Sequence, residues 1–239
     1  MKIVLIRGAP RRNGATNAFA DAFADGLRRV GADFCDVDLS AKKISPCRGC
    51  YACGARGECV IGDDMRELLS LLRDCDALAC FSPVYFFGVS AQMKMFFDRC
   101  FPLVCSGEEF PFCGVADGFD SVGGGVFGGK KFLAFSVASG RMKTFGGVCK
   151  FYEFLTSGLG FDMLANIRRG EAVYFSDVKN NSVRARKILA AAEELGREFA
   201  SGTISQETVK NVELPLAPDD KTFLARAKIY WNTRRAGLH

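Results

Sequence analysis

Residues 2–17 read KIVLIRGAPRRNGATN, and this stretch predicts the fold class. Lys2 to Ile6 form a short apolar, β-branched run that stops at a Gly-Ala-Pro turn, which is typical of a strand buried on both faces of a parallel sheet. From Thr16 to Val30, apolar residues recur at helical spacing until Gly31 ends the pattern. The stretch therefore predicts a strand, a loop and a helix, which is the repeating unit of α/β proteins.

The same alternation of strands and helices continues along the chain. Further strands are predicted at Phe34–Leu39, Ala77–Phe81, Phe132–Val137 and Ala172–Phe175. Further helices are predicted from a capping box at Asp64 and Glu67 through Leu72, and at Val89–Phe101, Val148–Leu159 and Val183–Phe199. This order favours a doubly wound α/β domain, with a five-stranded parallel sheet and helices on both faces.

The predicted domain covers residues 1–201, and residues 202–239 form a C-terminal extension. This tail contains Pro215 and Pro218, followed by a short predicted helix around Phe223–Trp231. It is too small for a domain of its own, so we expect it to pack on a partner subunit. The Gly-rich, aromatic stretch Cys105–Gly129 is predicted to be a long irregular excursion that carries part of a binding site.

Composition excludes several classes of protein. The net charge is +5, but Lys and Arg are interleaved with Asp and Glu, which argues against a nucleic-acid-binding surface. No apolar run is long enough to span a membrane, and the first residues do not resemble a secretion signal, so we expect a cytoplasmic protein. The only histidine is His239, and no Ser-His-Asp arrangement is evident.

The loop after the first strand, Gly8–Asn17, has the chemistry of a phosphate site. It lies at the carboxyl edge of the sheet, where doubly wound folds bind ligands. Helix N-terminal N–H groups, the side chains of Thr16 and Asn17, and the guanidinium of Arg11 together suit a dianion. The alternative is an ordinary helix cap and turn. The loop lacks both the GxxxxGK[ST] and the GxGxxG spacing, which argues against an ATP-hydrolysing or dinucleotide loop.

Two motifs resemble the NADPH-dependent FMN reductase family. The first loop reads GAPRRNGAT and resembles the family's GSPRxxGNT loop, with Ala9 and Ala15 in place of its Ser and Asn. Residues 82–99 resemble the family's SPVYWxGxxAxxKxxxDR signature. A third, weaker match is Ser139-Gly140 after the fourth strand, where small residues permit close approach of a ligand.

The resemblance implies a flavodoxin-like fold that holds FMN by its phosphate, and a flavin-dependent oxidoreductase. Its donor would be NAD(P)H or a ferredoxin-like protein, its acceptor a small molecule or a protein, and its assembly a homodimer or homotetramer. The cofactor-binding residues that it implies are Ala9, Arg11, Asn13, Ala15, Thr16, Asn17, Pro83, Val84, Tyr85, Phe86, Phe87, Ser139 and Gly140.

Four of the 11 cysteines are clustered in a Cx2Cx2Cx5C pattern: Cys47, Cys50, Cys53 and Cys59. Such spacing lets four thiolates ligate one 4Fe-4S cluster or one tetrahedral zinc ion. Reduced or redox-active thiols are the third alternative. The scattered cysteines, such as Cys75, Cys80 and Cys100, are interpreted as small buried apolar side chains.

The cysteine pattern resembles the compact motif of the iron-sulfur flavoproteins, a branch of the same family. This resemblance implies electron transfer between a 4Fe-4S cluster and FMN. Two other functions stay open at this point: a nonenzymatic electron carrier of flavodoxin type, and a zinc-stabilised protein that binds another phosphate ligand.

Overall fold

Five parallel strands form the central sheet in the computed structural model, which describes residues 1–104, 126–172, 174–175 and 182–237. The strands are β1 (Lys2–Arg7), β2 (Asp33–Asp38), β3 (Ala77–Pro83), β4 (Lys131–Val137) and β5 (Asp162–Arg169). Their order is β2-β1-β3-β4-β5, the flavodoxin-like order. The predicted doubly wound α/β fold is thereby confirmed. Because β1 pairs with both β2 and β3, the loops that follow β1 and β3 lie side by side.

Helices cover both faces of this sheet. In the described residues they are α1 (Ala15–Arg29), α2 (Ala52–Arg56), α3 (Met65–Asp74), α4 (Ala91–Asp98), α5 (Phe101–Val104), α6 (Gly146–Leu159), α7 (Val183–Ala200), α8 (Gln206–Glu213) and α9 (Asp220–Arg235). One apolar cluster lies beneath α1 and α7, and the other lies beneath α3, α4 and α6. No described helix has the length and apolar character needed to cross a bilayer.

The helices α1 and α7 pack backbone to backbone. A Cβ atom at Gly26 would overlap the carbonyl oxygen of Glu193, and one at Gly196 would overlap that of Phe23. Only glycine fits at these two crossing points. The contact seals one face of the sheet over Phe19 and Phe199, which are fully buried.

The fifth strand was predicted in the wrong place. It is Asp162–Arg169, whereas Ala172, Tyr174 and Phe175 of the predicted strand are helical. Strand β5 lies at the edge of the sheet, and its two arginines obscure the alternation of apolar residues. Arg168 pairs with Glu213, and Arg169 donates hydrogen bonds to the carbonyl oxygens of Val212 and Leu214. These partners neutralise or hydrogen-bond the two arginines. From the sequence pattern alone, such charged residues indicate a loop.

Three further details differ from the sequence expectations. The predicted helix Val89–Phe101 is two helices, α4 and α5, because Pro102 has no N–H to continue one helix. The capping box at Asp64 does not form, since the Asp64 side chain accepts from the Lys43 N–H instead. The C-terminal extension contains an unpredicted helix, α8, which packs on β5 of its own chain. Most of the predicted excursion Cys105–Gly129 lies outside the described residues.

Candidate functional site

A cavity of about 310 Å³ lies at the carboxyl edge of the sheet, where the loops after β1, β3 and β4 meet. The residues that line it are Ala9, Pro10, Arg11, Asn13, Gly14, Ala15, Thr16, Pro83, Val84, Tyr85, Val137, Ser139, Ala172, Tyr230 and Arg234. Most of the predicted cofactor-binding residues therefore share one cavity. The exceptions, which do not line it, are Asn17, Phe86, Phe87 and Gly140.

The first loop presents hydrogen-bond donors to this cavity. Helix α1 begins at Ala15, and its N-cap is Gly14, which has no side chain to occupy the first-turn N–H groups. The buried side chain of Thr16 and the exposed side chain of Arg11 lie beside this helix N-terminus. Asn17 contributes indirectly, because its amide donates to the Arg11 carbonyl at 3.0 Å and so fixes the loop. A helix N-terminus with an adjacent guanidinium is a favourable site for a phosphate.

Two serines join the first loop to the loop after β3. The buried Ser90 hydroxyl donates to the Gly8 carbonyl at 2.6 Å and also accepts from the Met93 N–H at the start of α4. The Ser90 N–H donates in turn to the hydroxyl of Ser82 at 3.0 Å. These bonds lock the two loops in one arrangement, so the cavity walls are preformed.

The loop after β3 ends in a strained aromatic turn. Tyr85 and Gly88 exchange both backbone hydrogen bonds at 3.0 Å, which leaves Phe86 and Phe87 at the tip. Their φ angles are 46° and 64°, a region that bulky residues rarely adopt. The Phe86 ring is fully exposed, whereas Tyr85 lines the cavity. Strain at exposed aromatic residues indicates a functional role, since the fold gains nothing from their burial.

Glycines in α6 and after β5 let the backbone segments beside the loop after β4 approach closely. A Cβ atom at Gly147 would lie 2.6 Å from the Phe87 carbonyl oxygen, so this glycine admits the aromatic turn. A Cβ atom at Gly170 would lie 2.7 Å from the Gly140 carbonyl oxygen. Gly140 therefore packs against Gly170, and Ser139 lines the cavity.

The four clustered cysteines line a second cavity of about 340 Å³. Cys47 and Cys50 are exposed, and Cys53 and Cys59 are half-buried. Burial raises the pKa of Cys53, and the neighbouring sulfurs of Cys59, Cys50 and Cys47 raise it further. In the described residues no three His, Cys, Asp or Glu side chains converge closely enough to hold an ion. The donor set fits a thiolate-ligated centre in its chemistry and shared cavity, although the sulfurs are not gathered around one point.

A buried ion pair closes the base of the cysteine segment. Arg99 is 1% exposed and donates to both carboxylate oxygens of Asp63 at 2.8 and 3.0 Å. It also donates to the carbonyl of Ser45, whose N–H donates to Asp63. Burial lowers the pKa of Arg99, but Asp63 and the adjacent Cys59 outweigh it and raise that pKa overall. Ser45 precedes the first clustered cysteine and Asp63 follows the last, so the pair holds both ends of the segment.

Three cysteines outside this segment take structural positions. Cys75, Cys80 and Cys100 are buried, and burial raises the pKa of each thiol. They pack in the apolar cluster beneath α3, α4 and α6, as predicted.

A model of the NADPH-dependent FMN reductase family matches residues 1–145, which contain the first two cavity loops and the cysteine segment. The chain belongs to this family. Among curated proteins, an iron-sulfur flavoprotein of Archaeoglobus fulgidus is 46% identical over 102 residues, or 43% of this chain and 46% of that protein. A second one from the same organism is 37% identical over 150 residues, or 61% of this chain and 76% of that protein. A third iron-sulfur flavoprotein, from Methanocaldococcus jannaschii, is 39% identical over 103 residues, or 43% of this chain and 53% of that protein. The aligned part of this FMN reductase family member thus spans about half the length of the first and third of these relatives.

Solved structures confirm the flavodoxin-like fold of this family member. An NAD(P)H:quinone oxidoreductase from Methanothermobacter marburgensis superposes with a TM-score of 0.58 at 18% identity, covering 83% of this chain and 96% of that one. An archaeal flavodoxin superposes with a TM-score of 0.51 at 16% identity, covering 84% of this chain and 98% of that one. At such identities the likeness concerns the fold alone.

Sequence reasoning missed two cavity residues, Tyr230 and Arg234, because they lie in the C-terminal extension. Their spacing of four residues places them on one side of a helix, which was the only signal in the sequence. It also missed Val137, the last residue of β4, and Ala172, which follows β5; both are small apolar residues that carry no chemical signature.

Proposed function

We propose that the cavity at the carboxyl edge of the sheet binds FMN and that the protein is a flavin-dependent oxidoreductase. The observation that carries the proposal is the meeting of three strand-end loops at one cavity, with a helix N-terminus, Arg11 and Thr16 on one wall and Tyr85 on another. A phosphate and a flat ring need such a pair of walls. The family match supports the same ligand.

Each wall has a defined part in this proposal. Arg11, Asn13, Thr16 and the first-turn N–H groups of α1 hold the phosphate, and Asn17 orients their loop. Pro83, Val84 and Tyr85 place the ring, Phe86 and Phe87 form the adjacent exposed turn, and Ser139 with Gly140 bounds its far edge. Ala9 and Ala15 line the phosphate end without a polar side chain. FMN, when bound, supplies the hydride and electron chemistry, with NAD(P)H or a ferredoxin-like protein as donor.

Enzyme and electron carrier are distinguished by turnover. Purified holoprotein should oxidise NADPH repeatedly when a quinone or a similar two-electron acceptor is present, and extraction should release FMN. Retention of FMN without turnover with NADPH or a reduced ferredoxin would favour the nonenzymatic carrier. Failure to bind FMN would overturn the proposal itself.

We further propose that Cys47, Cys50, Cys53 and Cys59 ligate a 4Fe-4S cluster that exchanges electrons with FMN. Four thiolates in one short segment repel one another unless a cation shares them, which favours a metal. The relatives named iron-sulfur flavoproteins support iron over zinc. The cysteine segment and the first cavity loop follow neighbouring strands, β2 and β1, at the same edge of the sheet.

Anaerobic reconstitution tests the cluster. With iron and sulfide the wild type should take up about four irons per chain, and Cys50→Ala should take up fewer. Cys149→Ala is the matched control, because Cys149 is a half-buried thiol outside the cysteine cavity. Equal iron in wild type and Cys50→Ala would contradict the assignment, and stoichiometric zinc in protein purified without added metal would favour a zinc site.

We also propose a cytoplasmic homodimer or homotetramer, divided into an FMN-binding domain (1–201) and an extension (202–239). The exposed side chains of Leu224, Ile229 and Trp231 on α9 support an interface there.

A further inference from the structure

The C-terminal helix α9 reaches the cavity that we assign to FMN. Tyr230 and Arg234, one turn apart on α9, line the cavity together with Arg11 and Thr16 of the first loop. The helix lies outside residues 1–145, which match the family model. No described residue of α9 is buried, so its position does not come from the apolar core.

Polar and aromatic contacts hold α9 in place instead. The buried Glu171 carboxylate accepts from the Arg141 guanidinium at 2.9 Å and from the Ala217 N–H at 3.0 Å. Arg141 also forms an ion pair with Asp220, at the first turn of α9, and lies over the Phe223 ring. Because Arg141 belongs to the loop after β4, this anchor ties α9 to a cavity wall.

A second contact sets the direction of the helix. The Tyr174 ring lies edge-on to Phe223 at 5.8 Å and to Tyr230 at 6.3 Å. Glu171 adopts a left-handed backbone with φ of 60°, which a bulky residue adopts only when its surroundings enforce it. The strained backbone at Glu171 and the aromatic contacts of Tyr174 together direct the last turns of α9 toward the cavity.

The side chains at the cavity have a definite chemistry. The Arg234 guanidinium stacks over the Tyr230 ring at 5.0 Å from its centroid, which keeps the charge in a fixed orientation. Arg11 supplies a second guanidinium, and the described residues that line the cavity include no Asp or Glu. Two guanidinium groups beside a helix N-terminus favour an anionic ligand group.

We propose that Arg234, held by Tyr230, is a second cation for the phosphate of FMN, so that the C-terminal helix completes the binding site within one chain. This inference rests on the proposed FMN function. Arg234 is a binding residue, and Tyr230 is a positioning residue that orients it.

Calorimetric titration of apoprotein with FMN and with riboflavin, which lacks the phosphate, tests the proposal. Arg234→Ala should weaken FMN binding about tenfold or more, the usual effect of losing a charge-assisted hydrogen bond, and leave riboflavin binding unchanged. Arg235→Ala is the matched control, because it removes the same charge from the same exposed turn at a residue that does not line the cavity. Tyr230→Leu should share the loss, and Tyr230→Phe, which keeps the ring, should restore binding.

The outcomes separate the two proposals. If Arg11→Ala weakens FMN binding while Arg234→Ala matches Arg235→Ala, the role of Arg234 is wrong and the FMN site stands. An equal loss for FMN and riboflavin in Arg234→Ala also overturns the phosphate role. If the wild type binds neither ligand, the proposed function fails, and the role of Arg234 fails with it.

Discussion

Arg99 and Asp63 form the ion pair that joins the cysteine segment to the rest of the protein. Both side chains are largely buried, with exposed fractions of 1% and 9%. Burial raises the pKa of Asp63, but hydrogen bonds from Arg99 and from the N–H groups of Ser45 and Met65 outweigh it and lower that pKa from 3.8 to about 2. Asp63→Asn would leave the Arg99 charge buried without its counterion. At neutral pH we therefore expect it to destabilise the protein by about 3–5 kcal/mol.

The effect of Asp63→Asn should depend on pH with a definite sign. Because the folded protein lowers the pKa of Asp63, its contribution to stability is complete above the unfolded value of 3.8 and is lost as the pH falls toward about 2. The difference in the free energy of unfolding between wild type and Asp63→Asn should shrink over that interval. Urea denaturation of both proteins at pH 7, 4 and 2.5 measures it. A difference that stays constant with pH would contradict the role of the carboxylate.

The sequence predicted which single residues lie at the ligand cavity better than it predicted which side chains contact each other. Arg11 and Thr16 were assigned to the cavity because a strand, a loop and a helix place them at a sheet edge, and this depends only on local sequence. The Asp63–Arg99 pair joins residues 36 apart, and no local pattern determines it. Asn17 was predicted to bind the cofactor, and in the structure its amide supports the loop by donating to the Arg11 carbonyl.

The turn Tyr85–Gly88 has a strained backbone and lies beside the proposed FMN site. Phe86 has a φ of 46° and a fully exposed ring, so it adds strain without burial. Asn tolerates the left-handed region, and we expect Phe86→Asn to stabilise the apoprotein by about 1 kcal/mol while weakening FMN binding. Thermal unfolding and FMN titration measure the two effects.

Tyr51→Asn is the control for this element. Tyr51 has a φ of 54° and is exposed, but it lines the cysteine cavity. Tyr51→Asn should gain less stability than Phe86→Asn, because it also loses the edge-on contact of the Tyr51 ring with Phe101 at 6.1 Å, and FMN affinity should not change. A loss of stability in Phe86→Asn would mean that its ring packs in the folded chain, which would contradict a role for this ring in binding alone.

Four of the five strands were predictable, whereas β5, at one edge of the sheet, was not. Strand β3 is buried along its whole length, so its apolar run is continuous and unambiguous. Strand β5 carries Arg168 and Arg169, whose partners Glu213, Val212 and Leu214 lie more than 40 residues further along the chain. The pattern of β5 therefore depends on partners that the strand itself does not encode.

The whole molecule is expected to associate through its C-terminal helix. On α9, more than half of the surface of each of the residues Leu224, Ile229 and Trp231 is exposed. Sedimentation analysis should find a dimer or tetramer at micromolar concentration, and the double variant Leu224→Arg/Ile229→Arg should shift it toward monomer. A wild-type monomer that retains flavin would contradict this expectation.

The general architecture followed from alternating strand and helix patterns over residues 1–199, but the placement of the extension did not. Its two helices are amphipathic only weakly or over a short length, and α9 has no buried residue in the part of the chain that the structure describes. Contacts with Glu171 and Arg141 position it, and these depend on the folded sheet. The cavity wall formed by Tyr230 and Arg234 could therefore be identified only in three dimensions.

Calorimetric titration of apoprotein with FMN tests whether the first cavity loop binds the phosphate. Arg11→Ala should bind FMN more weakly by about 1.5–3 kcal/mol, since a charge-assisted hydrogen bond is lost. Arg12→Ala is the matched control, because Arg12 faces a different surface cavity with Asp21 and Asp36, and it should bind as wild type does. Equal affinities in wild type and Arg11→Ala would contradict the assignment of this loop to the phosphate.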